Sequence, residues 1–141
     1  MNQAKAYLSQ IKNLDYKIRM RQQEAAELRD AAMSLGSLQL DPDRVRSSSP
    51  DPDPMASQVG RYVDILNEVE AMIRELMELK HKILGQIQAL DDKTYMEVLW
   101  KRYVSLETFS QIAEEMGYDI RTIFRIHGRA LQMFNEKFKL S

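Results

Sequence analysis

The chain has 141 residues, 29% of them charged, a formal net charge of −1 and no cysteine. That length bounds it to one or two small domains. The missing cysteine excludes disulfides, thiolate chemistry and cysteine-based metal sites, and it suits a reducing cytoplasm. Near-neutral charge offers no global attraction for nucleic acid, so any DNA affinity has to come from a local patch. No stretch is long and apolar enough to span a membrane. Residues 1–20 carry charge throughout, where a signal peptide needs an apolar run. Five glycines and four prolines are few for this length, and the prolines cluster between Pro42 and Pro54. The expectation is an all-α protein with one irregular break.

Two apolar heptad series fill residues 1–90. In the first, Tyr7, Ile11, Leu14, Ile18, Ala25, Leu28, Ala32 and Leu35 alternate steps of four and three, with Arg21 as the polar intruder. In the second, Met55, Val59, Tyr62, Leu66, Val69, Ile73, Leu76, Ile83, Ile87 and Leu90 do the same, with Lys80 as the intruder. A seven-residue seam sustained for four or five heptads predicts coiled-coil packing, each helix roughly 45 to 50 Å long. Between them the Pro, Asp and Ser residues of 37–54 cannot continue a helix and have little to bury, which predicts a flexible loop. The simplest architecture is a long antiparallel helical hairpin. A homodimer whose heptad helices pair between chains satisfies the same pattern. Charges balance along this half, so nothing marks a second nucleic-acid surface there.

Asp91 and Asp92 follow the last heptad residue and can cap a new helix, which places a domain boundary near Leu90: a hairpin domain over 1–90 and a second domain over 91–141. Tyr95, Val98, Leu99, Tyr103 and Leu106 give the new helix an apolar side. Trp100, the only tryptophan, is expected to pack against the helices that follow. Glu107 or Thr108 opens the next helix.

From Phe109 to Leu131 the pattern divides at Gly117. Before it, Ile112, Ala113 and Met116 share one helical face. After it, Ile123, Ile126, Ala130 and Phe134 do so. Gly117 suits the left-handed residue that ends the first helix, Asp119 suits the N-cap of the second, and Ala113 is small enough for two helices to cross closely. These features predict a helix-turn-helix whose second helix, 119–134, enters the major groove of DNA. Arg121, Arg125 and Arg129 recur every four residues off the apolar face. Between Asp119 and Leu140 five basic residues stand against two acidic ones.

The order IAEEMG, DIRTI and RAL resembles the C-terminal helix-turn-helix, region 4, of the bacterial sigma-70 family, over residues 91–138. Leu99, Arg102 and Tyr103 look like the helix and turn that precede the motif in that family. Over its whole length the chain is similar to small sigma-like regulators encoded by bacteriophages and prophages, of the ArpU and RinA type. The resemblance implies a cytoplasmic protein of a bacterial host that regulates transcription and contacts RNA polymerase. Where the family opens its recognition helix with an Arg-Glu pair and a further Arg, this chain has Ile120, Arg121 and Phe124, so the family's usual promoter element is not the expected target.

Base-facing roles fall to Arg121, Thr122 and Arg125, in the first turns of the recognition helix. Arg129, Lys101 and Arg102 are expected to hold phosphates, setting register without reading sequence. Phe124, if exposed, faces a thymine methyl or a protein; otherwise it completes the core. No enzyme, cofactor or metal site is expected: His81 and His127 lack any accompanying nucleophile, phosphate loop or acidic cluster. Two other assignments fit the same features, a DNA-recognition subunit for phage DNA packaging and a coiled-coil adaptor that binds only protein.

Overall fold

The computed structural model describes residues 3–38 and 54–140. Helices α1 (Gln3–Leu8) and α2 (Gln10–Leu38) are joined at Ser9, across which Ser9 N–H donates to Lys5 O and Asn13 N–H to Ser9 O, so the hydrogen-bond ladder continues. There follow α3 (Pro54–Gln88), α4 (Lys93–Leu99) running into a wide π turn at Trp100–Val104, α5 (Phe109–Met116) and α6 (Ile120–Phe138). The described residues contain no strand. None of their helices is long and apolar enough to cross a membrane. The fold is all-α, a long antiparallel hairpin followed by a helix-turn-helix. The loop expected over 37–54 begins and ends inside helices, since Ser37, Leu38 and Pro54 are helical; its remainder lies outside the described residues. Pro54 opens α3 because the first helical position needs no backbone donor and already prefers proline's fixed φ.

By packing, the chain forms two units, one of residues 1–15 with 75–141 and one of residues 16–74. This division differs from the boundary expected at Leu90, because the ends of the hairpin helices belong to the core that holds the C-terminal helices. In the second unit, Ile18, Ala25 and Ala32 of α2 and Ile65 and Val69 of α3 are buried, and Arg21 Nε lies 3.7 Å from Glu68 Oε2. The polar intruder of the first heptad series therefore flanks the seam as an ion-pair partner.

The seam on α3 departs from the expected one. Tyr62, Val69, Leu76, Ile83, Ile87 and Leu90 are buried or half-buried as the second series requires. Val59, Leu66 and Ile73 are exposed, and Gln58, Ile65 and Met72 take their place. Each substitute precedes the expected residue by one position, so α3 is turned by about 100° relative to part of the heptad series. The helix is apolar in both registers, and packing selects one.

In the first unit, Ala4, Leu8 and Ile11 are wholly buried together with Ile83 and Ile87 of α3, Val98 and Leu99 of α4, and Ala130 and Phe134 of α6. Helix α1 packs on α6, with the Tyr7 ring 5.9 Å from that of Phe134. The Tyr7 hydroxyl donates to Gln86 Oε1 at 2.6 Å. Each fully buried Leu, Ile or Phe contributes about 1.5 to 3 kcal/mol of transfer free energy. By the same measure, the alanines of the second unit bury far less.

Candidate nucleic-acid interface

Helix α5 starts where Thr108 accepts from Gln111 N–H while Gln111 Oε1 accepts from Thr108 N–H, a reciprocal capping box. It ends at Gly117, whose φ of 71° lies in the left-handed region that glycine enters without a Cβ penalty. Tyr118 N–H then donates to Ala113 O at 3.0 Å, closing the turn. Helix α6 begins one residue after Asp119. Asp119 occupies the N-cap with extended backbone and offers its carbonyl to Ile123 N–H, but its side chain makes no cap hydrogen bond.

The core under the two helices is Val98, Ile112, Ala113 and Ile123, closed by Phe109, Met116 and Ile126. Ala113 is buried at the crossing, as close approach requires. Further along α6, Ala130, Leu131 and Phe134 are buried. This continuous apolar side fixes the rotation of α6 about its axis and so determines what faces outward. Arg121, Arg125 and Arg129 are exposed, and Thr122 is half-buried. None of the three arginines makes an ion pair among the described residues.

Their spacing has a physical consequence. Steps of four residues place the guanidinium stems about 6 Å apart along the axis, so Arg121 to Arg129 cover about 12 Å.

Lys101 and Arg102 have partners within the chain. Lys101 Nζ lies 2.6 Å from Glu115 Oε2 and 4.0 Å from Glu107 Oε2, with its side chain largely covered. The hydrogen bond to Glu115 holds the lysine above its ordinary pKa and the Glu115 carboxyl below its own. Burial pushes the Glu107 carboxyl up. Arg102 donates to Glu107 O at 3.1 Å and sits 4.1 Å from the centre of the Phe109 ring. Both cations thus tie the π turn to α5. Lys101 also neutralises the Glu115 carboxylate on the first motif helix.

Three aromatic positions complete the site. Phe124 is 49% exposed, with its ring edge-on to Phe109 at 5.0 Å, so it half-completes the core and half-faces solvent beside Arg121 and Arg125. Trp100 does not pack against the helix-turn-helix. It is exposed and borders a shallow groove with Leu84, Gln88, Lys93, Met96 and Glu97. The wide turn that begins at Trp100 shifts the helical phase there, so Tyr103 fills the core while Trp100 swings out. Leu106, in the link to α5, has a φ of 58°, a strained value for a bulky residue that costs about 1 to 2 kcal/mol.

On the inner side of α6, His127 Nε2 lies 2.7 Å from the Tyr103 hydroxyl. Burial lowers the imidazole to about 4, aided by Arg102 and Lys5, and burial raises the Tyr103 hydroxyl to about 12. Both shifts favour a neutral pair, in which the hydroxyl donates to Nε2. His127 is therefore a packing and hydrogen-bonding residue of the motif, turned away from the arginine side.

No family model, curated protein or solved structure matches this chain.

The site accordingly stands on its own geometry: a glycine-turned helix pair, a second helix seated on the core, and three exposed arginines on its outer side.

Proposed function

We propose that the protein is a sequence-specific DNA-binding regulator of transcription, of the sigma-like kind that bacteriophages and prophages encode, which inserts α6 into the major groove. The observation that carries this is the outward row of Arg121, Arg125 and Arg129 on a helix whose opposite side is locked into the core. Arg121 and Arg125 read bases together with Thr122, and Arg129 holds phosphate. The hairpin serves assembly or contact with RNA polymerase. The resemblance of residues 91–138 to sigma region 4 supports the polymerase contact. Residues 1–90 contain only Tyr7, Tyr16 and Tyr62 as aromatics, so the reading for this half is recruitment or support of polymerase.

The test is binding to random duplex DNA over a range of salt concentrations, followed by sequencing of the duplexes that the full chain selects. Affinity should fall steeply with salt, and the selected duplexes should share a short common site. Salt-independent binding, or selection with no common site, would contradict the proposal.

A further inference from the structure

Phe124 is the largest apolar side chain that α6 leaves exposed. Ile123, Ala130, Leu131 and Phe134 already close the inner side of the helix, and the Phe109 ring supports Phe124 from the chain's side at 5.0 Å. Its position along the helix is as informative as its exposure. Arg121, Phe124, Arg125 and Gly128 follow one another at steps of three, one and three residues, which gathers them within about 100° of the helix surface. All four are exposed. Recognition helices of other DNA-binding folds meet base edges with this same spacing. Gly128, on the next turn, has no side chain to lie over the ring, and a Cβ there would meet nothing within 4 Å.

We infer that Phe124 is a base-reading residue that packs on the C5-methyl group of a thymine, in a site whose neighbouring bases are read by Arg121 and Arg125. This rests on the proposed entry of α6 into the major groove and names a base that the site must contain. The neighbours of Phe124 select the occupant. It shares its face with two guanidinium groups that make no ion pair among the described residues, so whatever covers the ring also faces Arg121 and Arg125. A wholly apolar partner would bury both cations unpaired, which is strongly unfavourable. The major groove meets both demands together. Guanine and phosphate oxygens accept from arginine, and the thymine methyl is the one apolar group that the base edges present there. Every other position on those edges is a donor or acceptor, which an aromatic ring deprives of water without replacing the hydrogen bond. Preference for thymine therefore has two sources, burial of the methyl and the desolvation of whatever edge replaces it.

The test uses the site that the full chain selects from random duplexes, and it alters the DNA before the protein. Each thymine is replaced in turn by uracil, which pairs identically and lacks only the methyl. At one position the wild type should bind about fourfold more weakly, the worth of one methyl-sized apolar group. Phe124→Ala should bind the thymine and uracil duplexes equally, and Phe124→Leu, which keeps an apolar side chain, should retain part of the preference. Circular dichroism checks helix content in both variants, while the uracil comparison in the wild type does not touch the fold at all. A selected site without thymine, a wild type indifferent to uracil at every position, or a preference that survives Phe124→Ala would overturn the inference and leave DNA binding in place. Indifference to uracil would turn the ring toward an acidic protein surface instead. Failure to bind any duplex is a different result, which removes the major-groove reading and this inference with it.

Discussion

Leu8→Ala tests the least expected part of the fold, the docking of the N-terminal helix beneath α6. Leu8 is wholly buried, in a core that also holds Ile83, Ile87 and Phe134. Truncation removes its transfer free energy and leaves a cavity that the surrounding core can close only in part. Leu→Ala changes at such sites cost about 2 to 5 kcal/mol, and complete enclosure argues for about 3 kcal/mol here. At about 2 to 4 °C per kcal/mol for a chain near this size, the midpoint of thermal unfolding should fall by about 10 °C. Urea unfolding followed by Trp100 fluorescence is the assay, since the one tryptophan lies in the same packing unit as Leu8. The urea midpoint should drop with the slope unchanged. A loss below about 0.5 kcal/mol, the range of ordinary surface substitutions, would show that the C-terminal helices do not depend on α1.

Gly117→Ala should cost about 1 to 2 kcal/mol in the same assay: nothing lies within 4 Å of an added Cβ, so the penalty is the left-handed backbone itself. A neutral effect would mean that the turn adopts another conformation. Thr108→Ala removes one half of the capping box and should destabilise by about 1 kcal/mol, which Thr108→Ser should largely restore; equal losses in both would count against the cap. His127 makes stability depend on pH. Its folded pKa of about 4 lies below the unfolded value, so the unfolded chain binds more protons between the two. Its contribution is complete above about pH 6.5 and is lost as pH falls toward about 4, by about 1 to 2 kcal/mol once its partial exposure is allowed for. Equilibrium unfolding across that interval should show the slope in the wild type and lose it in His127→Gln; parallel slopes would contradict the assignment.

Helices and the glycine turn are legible in the residue pattern because their signals are local. The steps of Ile112, Ala113 and Met116 and of Ile123, Ala130 and Phe134 mark faces that the structure does bury, and Gly117 adopts the left-handed conformation that its position implies. The pattern fails where two registers are apolar at once. On α3, Leu66 and Ile65 are equally good seam residues, and the choice between them depends on what α2 presents. It fails again where a partner is distant in sequence. Nothing in Ala4 and Leu8 distinguishes burial against α6 from burial within the hairpin. The packing expected of Trp100 fails because the wide turn that shifts its phase has no composition signal. Lys101 and Arg102 illustrate a limit of charge reading: a cation near a motif is equally suited to phosphate and to a carboxylate such as Glu115, and only the 2.6 Å separation distinguishes the two.

The central claim, that α6 lies in a duplex groove with its first turns on the bases, is tested most directly by comparing arginine variants on a selected site and on random duplex. Arg121→Ala and Arg125→Ala should each weaken the selected site by about 1 to 3 kcal/mol and change random-duplex binding much less, narrowing the ratio between them. Arg129→Ala should weaken both alike and reduce the salt slope by about 1. Circular dichroism checks the fold in each case. Unchanged affinity for both duplexes in all three variants, with helix content intact, would contradict the account.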